Sequence, residues 1–193
     1  MRIYTAMLAL LLPAAMLPIF GRAAAAQDVA KAEIALTYTW DHTNGPPQGC
    51  ACFSLNGGSA VLAYGLTRSF SVVAEAGAAT NGNVHSTGKG ITISDYLGGL
   101  RYTPRGHAGV KPYGQLLLGT AHASGALAPS QIGAGSDTSF AMSAGGGVDF
   151  IVSRHFAIRA LQADYLLTLL PNGTNNRQNN FRLSTGLVFR FGK

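Results

Sequence analysis

The sequence predicts an all-β chain, an eight-stranded antiparallel up-and-down transmembrane β-barrel, and three observations predict it. Beyond residue 26 the side chains alternate with period two, the signature of strands with unlike faces. The connections between the alternating runs take turns between long polar stretches and short ones. Within each run the bulky apolar residues oppose a face of Gly, Ala, Ser, Thr and a few charges, the reverse of what a soluble carrier barrel needs.

Composition narrows the class before any element is placed. Charged residues are 11% of the chain and apolar ones 47%, which is the wrong balance for intrinsic disorder. Two cysteines in 193 residues, with no CxxC pair, exclude a disulfide scaffold, a zinc ribbon and a thioredoxin-like site.

The N-terminal segment reads as an export signal. Met1-Arg2 supplies a positive end, Tyr4 to Phe20 carries no charge, and Ala24-Ala25-Ala26 offers small residues for cleavage before Gln27. Residues 1–26 are therefore expected to be a signal peptide and residues 27–193 the barrel domain. Without Arg2 and Arg22 the chain carries 12 basic and 8 acidic side chains, a balance of +4. No later window approaches the apolar length of a membrane helix, so a membrane role has to use strands.

From Glu33 to Asp41, Ile34, Leu36, Tyr38 and Trp40 oppose Glu33, Ala35, Thr37, Thr39 and Asp41. A second run sets Ala60, Leu62, Tyr64 and Leu66 against Ser59, Val61, Ala63 and Gly65. After a turn near Thr67-Arg68-Ser69, Phe70, Val72, Ala74, Ala76 and Ala78 oppose Glu75 and Gly77. Tyr96, Gly98, Leu100 and Tyr102 then oppose Asp95, Gly99 and Arg101. The fifth segment, Lys111 to His122, is apolar on both faces through Leu116-Leu117-Leu118 and assigns no inward face. In the sixth, Phe140, Met142, Val148 and Phe150 oppose Ala141, Ser143, Gly145, Gly147 and Asp149. The seventh, Phe156 to Thr168, gives Arg159 and Asp164 opposite parity, and a single β-bulge would bring them to one face. The eighth sets Phe181, Leu183, Thr185, Leu187, Phe189 and Phe191 against Arg182, Ser184, Gly186, Val188 and Arg190.

Short connections fall near Leu66 to Ser69, Thr103 to Gly109 and Val152 to His155. Long polar ones fall at His42 to Ser54, Thr80 to Lys89, Ala123 to Thr138 and Leu170 to Asn179. In an up-and-down meander this puts every long loop at one rim and every short turn at the other, the asymmetry of outer-membrane barrels. Trp40, Phe140 and Phe181 would mark the loop-side rim, and Phe70, Tyr102, Phe150, Phe156 and Phe191 the turn-side rim, as interfacial girdles.

With these features the chain resembles the OmpA-like and OmpX-like outer-membrane β-barrel proteins over residues 27–193. The closing Leu187-Val188-Phe189-Arg190-Phe191 is similar to the C-terminal signal by which the barrel-assembly machinery recognises such proteins, and the resemblance assigns that role to Leu187, Phe189 and Phe191. It departs from the usual pattern in that Gly192-Lys193 follow the last aromatic. The location it implies is the bacterial outer membrane, with outer-membrane lipid and the assembly machinery as partners.

The chemistry-bearing residues are few. The alternation gathers Glu33, Asp41, Glu75, Asp95 and Asp149 in the interior with Arg101, Arg159, Arg182 and Arg190. Such a lumen is just wide enough for side chains to fill, and buried charges have to pair, so a plug of salt bridges is expected. The alternative use of the same residues is a narrow porin-like path for ions or small solutes. Cys50-Ala51-Cys52, with His42, His85 or His122, carries soft metal ligands, but nothing fixes the geometry coordination needs, and neither a metal nor a cofactor is expected. His122-Ala123-Ser124 resembles the His-x-Ser of lipid A deacylase barrels and raises a lipid-modifying enzyme as a further alternative. No carboxylate that would orient the histidine is assigned by any motif, and no enzyme is expected. Asn172-Gly173-Thr174 matches a glycosylation sequon and reads as loop punctuation.

Basic residues gather toward the turn side, at Arg105, His107, Lys111, Arg154 and Lys193, without the clustered basic and aromatic face that nucleic acid requires. The expected function is a structural or surface-interaction role in which the long loops meet an extracellular partner that their polar composition does not name.

Overall fold

The computed structural model describes residues 30–44, 52–86, 88–105, 109–125, 135–171 and 175–192. The expected signal segment, Cys50, His107, Lys193 and Asn172-Gly173-Thr174 lie outside the described residues. Four strands, β1 (Ala32–Asn44), β2 (Cys52–Gly65), β3 (Phe70–Asn81) and β4 (Ile91–Tyr102), are followed by β5 (Val110–Ser124), β6 (Ser136–Ile151), β7 (Phe156–Thr168) and β8 (Gln178–Phe191). Each pairs antiparallel with its neighbours in the chain, and β1 pairs β8 from Ala32↔Phe191 to Thr43↔Asn180, which closes the barrel. Closure leaves no unpaired strand edge, the condition for a sheet to sit in hydrocarbon.

The faces follow the alternation. On β1, Ala35, Thr37, Thr39 and Asp41 are buried while Ile34, Leu36 and Tyr38 point outward and are exposed. Around the barrel Leu62, Tyr96, Leu100, Leu116, Leu118 and Leu187 are likewise outside, about half exposed each, forming a continuous apolar belt. Such a belt is unfavourable in water and is satisfied by acyl chains.

On β7, register shifts against both neighbours place the extra residue between Arg159 and Gln162, so Arg159 and Asp164 both turn inward, as their parity requires. On β5 the inward face is Tyr113, Gln115, Leu117, Ala121 and Ala123.

Two expectations are corrected. Strands reach further into the loop side than composition indicated: β1 continues through Asn44 and β2 begins at Cys52, so the first loop is shorter than His42 to Ser54. Similarly β5 reaches Ser124 and β6 starts at Ser136. Backbone pairing does not require apolar side chains, and side-chain contacts along β1 and across to β2 support the first extension. His42 stacks on Trp40 at 5.6 Å between ring centres and shares a 3.3 Å hydrogen bond with Ser54. The interior is also not uniformly small and polar, because Phe53, Leu55, Ile91, Ile93, Leu166 and Leu170 are buried at its loop end. These apolar groups belong to one cluster of buried residues and need no hydrogen-bond partner there.

The short turns share a plan. Leu66 and Thr67 N–H both donate to Phe70 O, at 2.9 and 3.1 Å, and Val152 and Ser153 N–H donate to Phe156 O, at 3.1 and 2.9 Å. The Thr67 hydroxyl accepts Phe70 N–H, and the Ser153 hydroxyl accepts His155 N–H. Local side-chain to backbone bonds of this kind stabilise tight turns.

Candidate functional site in the barrel lumen

Inward positions on seven strands bring the charged residues together at three levels. Nearer the loop end, Arg182 on β8 donates through Nε and Nη2 to the two oxygens of Asp41 on β1, at 2.7 and 3.0 Å. The same guanidinium reaches Asp95 on β4 through Nη2 and Nη1, at 2.7 and 3.1 Å, and Glu75 on β3 through Nη1, at 3.2 Å. One arginine therefore links four strands across the lumen. Its planar fork of donors makes this possible, where a lysine would offer only a point charge.

At the middle level Arg159 on β7 holds Asp149 on β6 in a two-oxygen contact of 2.9 and 3.2 Å. Its Nη1 also donates to Gln162 Oε1 at 2.8 Å, and the same oxygen accepts the Tyr113 hydroxyl at 2.6 Å. Gln162 Nε2 continues the chain to Asp164 at 2.5 Å. Arg101 donates to Gln115 Oε1 at 2.9 and 3.2 Å. Both guanidinium groups lie over the Tyr113 ring, at 4.2 Å for Arg101 and 4.9 Å for Arg159, within cation–π range.

At the turn-side mouth Glu33 accepts from Arg190 at 3.3 Å and lies 3.8 Å from Lys111, with Glu33 and Lys111 each about one fifth exposed. Further in, Arg159 is 0% and Arg182 2% exposed.

Each of Glu33, Glu75, Asp95, Arg101, Asp149, Arg159, Arg182 and Arg190 thus has a partner inside the barrel, but the partners are not all charges, since Arg101 is held by Gln115 and by the Tyr113 ring. Sequence reasoning missed Tyr113, Gln115 and Gln162. The common parity of Lys111, Tyr113 and Gln115 was the available signal, hidden by the leucines that follow. Leu187, Phe189 and Phe191 all face outward on β8, half exposed.

The other candidates lie elsewhere. Cys52 is a free, exposed thiol, and among the described residues no group of three or more His, Cys, Asp or Glu has metal-holding geometry. His122 shares a 2.7 Å hydrogen bond between Nδ1 and the Thr138 hydroxyl on the adjacent strand.

Closed antiparallel topology, a belt of apolar residues on the outside and charges inside define the class of outer-membrane β-barrels. A family model described as outer membrane protein beta-barrel domain matches residues 7–191, and the chain belongs to that family. Solved structures share the fold at low identity. Ail, the attachment invasion locus protein of Yersinia pestis, is 17% identical, with a TM-score of 0.58 over 84% of this chain and 99% of that one. Neisserial surface protein A is 15% identical with a TM-score of 0.63 over 84% and 98%. OprG of Pseudomonas aeruginosa is 12% identical with a TM-score of 0.54 over 85% and 97%. No curated protein sequence matches the chain. The protein is an integral protein of the bacterial outer membrane.

Proposed function

We propose that the protein is a closed-lumen barrel with a structural or surface-interaction role exerted through its external loops, without enzymatic chemistry. The observation that carries this reading is the contact of Arg182 with Asp41, Glu75 and Asp95 across the lumen. A path for solutes at that level would have to break several charge-assisted hydrogen bonds away from bulk water, where such bonds are strong. The apolar residues at the loop end, Phe53, Leu55, Ile93 and Leu170, add a second obstruction. The rival reading, a narrow ion path, draws on the run of charged residues from Glu33 at one mouth to Asp41 near the other.

Residues 1–26 serve in this account as the export signal, and the outward row Leu187, Phe189 and Phe191 as the signal to the assembly machinery. The extracellular partner meets the loops. Ail has been crystallised with the heparin analogue sucrose octasulfate; the loop segments of this chain are mostly uncharged and carry no cluster of cations for such a polyanion.

The test uses cells lacking the protein, complemented either with the full chain or with a form whose four loops are cut to tight turns. Adhesion to neighbouring cells and to surfaces is expected to return with the full chain only. Equal adhesion from both forms would contradict a loop-borne role.

A further inference from the structure

The turn-side rim carries a ring of cations that the lumen does not use. Lys31 enters β1, Arg68 sits in the β2–β3 turn, Arg105 in the β4–β5 connection and Arg154 in the β6–β7 turn, and all four are exposed. In a closed barrel of eight strands taken in chain order, these positions recur at every second strand around the rim. Among the described residues of these four segments there is no acidic side chain.

The turns present these cations in a repeated frame. Thr67-Arg68-Ser69-Phe70 and Ser153-Arg154-His155-Phe156 place an arginine between a hydroxyl that caps the turn and a phenylalanine that starts the next strand. Arg105 Nε donates to the Ser69 hydroxyl at 3.1 Å, which ties the second connection to the first turn. Above the ring lie the rim aromatics: Phe70 packs on Tyr102 at 5.1 Å between ring centres, Phe156 on Phe189 at 5.9 Å, and Lys31 reaches over Tyr64 at 5.9 Å. Aromatic girdles mark head-group depth, so cations beside these rings would meet the phosphates of the turn-side leaflet.

We propose that this rim is a binding surface for anionic phospholipid head groups. Arginine forks match phosphate oxygens in pairs. Basic residues next to a bilayer draw anionic lipid in a way that falls off within a Debye length. Four sites spaced around the circumference would gather a shell of anionic lipid on the turn side and hold the barrel at a fixed depth.

The test is extraction of the folded protein from vesicles of equimolar phosphatidylglycerol and phosphatidylcholine, with retained lipid counted by native mass spectrometry. Phosphatidylglycerol is expected to be enriched about fivefold at low salt. High salt is expected to erase the preference. A variant carrying Lys31→Gln, Arg68→Gln, Arg105→Gln and Arg154→Gln is expected to retain the two lipids equally. If that variant does not show the gel mobility shift of a folded barrel, the pair Arg68→Gln and Arg154→Gln, which leaves the Ser69 contact intact, is read instead and should lower the preference. Equal retention by the unmodified folded protein, or a preference that survives the substitutions, would overturn the proposal. Sedimentation with peptidoglycan in place of lipid enrichment would also overturn it and assign the rim to an acidic wall polymer. Failure to insert at all would speak against the membrane barrel itself, which the gel shift detects separately.

Discussion

Arg182 and Asp41 face each other directly across the seam where the last strand meets the first, joined by two hydrogen bonds of 2.7 and 3.0 Å. They are 141 residues apart in the chain, and they meet only when β8 has docked on β1. The ion pair is therefore a product of closure and holds it. Replacing Arg182 with Met leaves Asp41, Glu75 and Asp95 close together without their shared cation. Loss of one partner of a buried pair typically costs about 3–5 kcal/mol. Urea titration of the barrel refolded in detergent should show a loss of that order, and an unchanged midpoint would contradict the role assigned to Arg182.

The three carboxylates around Arg182 are not equivalent. Asp95 makes two contacts, at 2.7 and 3.1 Å, and Glu75 one, at 3.2 Å. Three acids around one arginine also repel one another, so neutralising the most weakly held of them relieves repulsion. Glu75→Gln is expected to be close to neutral in stability, and Asp95→Asn to destabilise by about 1.5–3 kcal/mol, the range for hydrogen bonds to charged groups. The same urea titration ranks the two, and the reverse order would overturn this reading of the cluster.

Tyr113 contributes through two separable features. Tyr113→Phe removes the 2.6 Å bond to Gln162 and keeps the ring beneath both guanidinium groups, for a loss of about 1 kcal/mol. Tyr113→Leu removes the ring face as well and should lose more, by about 0.5–2 kcal/mol for the cation–π contacts. Equal effects of the two substitutions would show that the ring makes no electrostatic contribution.

The outward belt makes a depth-dependent prediction. Leu118 lies near the middle of β5 and Phe191 at the end of β8, both exposed on the outside. An arginine near the bilayer midplane costs about 2–4 kcal/mol and one near the interface about 0–1 kcal/mol. Leu118→Arg should therefore impair folding into lipid vesicles far more than Phe191→Arg. In detergent micelles, which impose no bilayer of fixed thickness, the difference should shrink.

Much of this architecture was legible because a strand's period of two is written into the side chains. Glu33 and Asp41 share parity with Thr37 and Thr39, and the inward facing of that whole row follows. Even the bulge on β7 could be read, since Arg159 and Asp164 could not otherwise both point inward. β5 was legible as a strand but not in its facing, because Leu116, Leu117 and Leu118 in a row offer apolar groups to both faces and conceal Tyr113 and Gln115. Nor could the sequence pair the charges. Which acid Arg182 meets depends on the tilt and stagger of eight strands at closure, and no local pattern carries that information. The loop-end strand extensions were missed for a different reason: His42, Thr43 and Ser54 look like loop residues, but ladder pairing uses backbone groups that every one of them carries.

In the proposed function the lumen is shut by its own side chains. Planar-bilayer conductance of the refolded protein, with an unheated and a boiled gel sample to show that the barrel is folded, tests it most directly. A barrel that is folded and electrically silent is the expected result. Discrete conductance steps from the folded barrel would contradict it, and would turn Glu75, Asp95, Arg101 and Arg182 from a plug into the walls of a path.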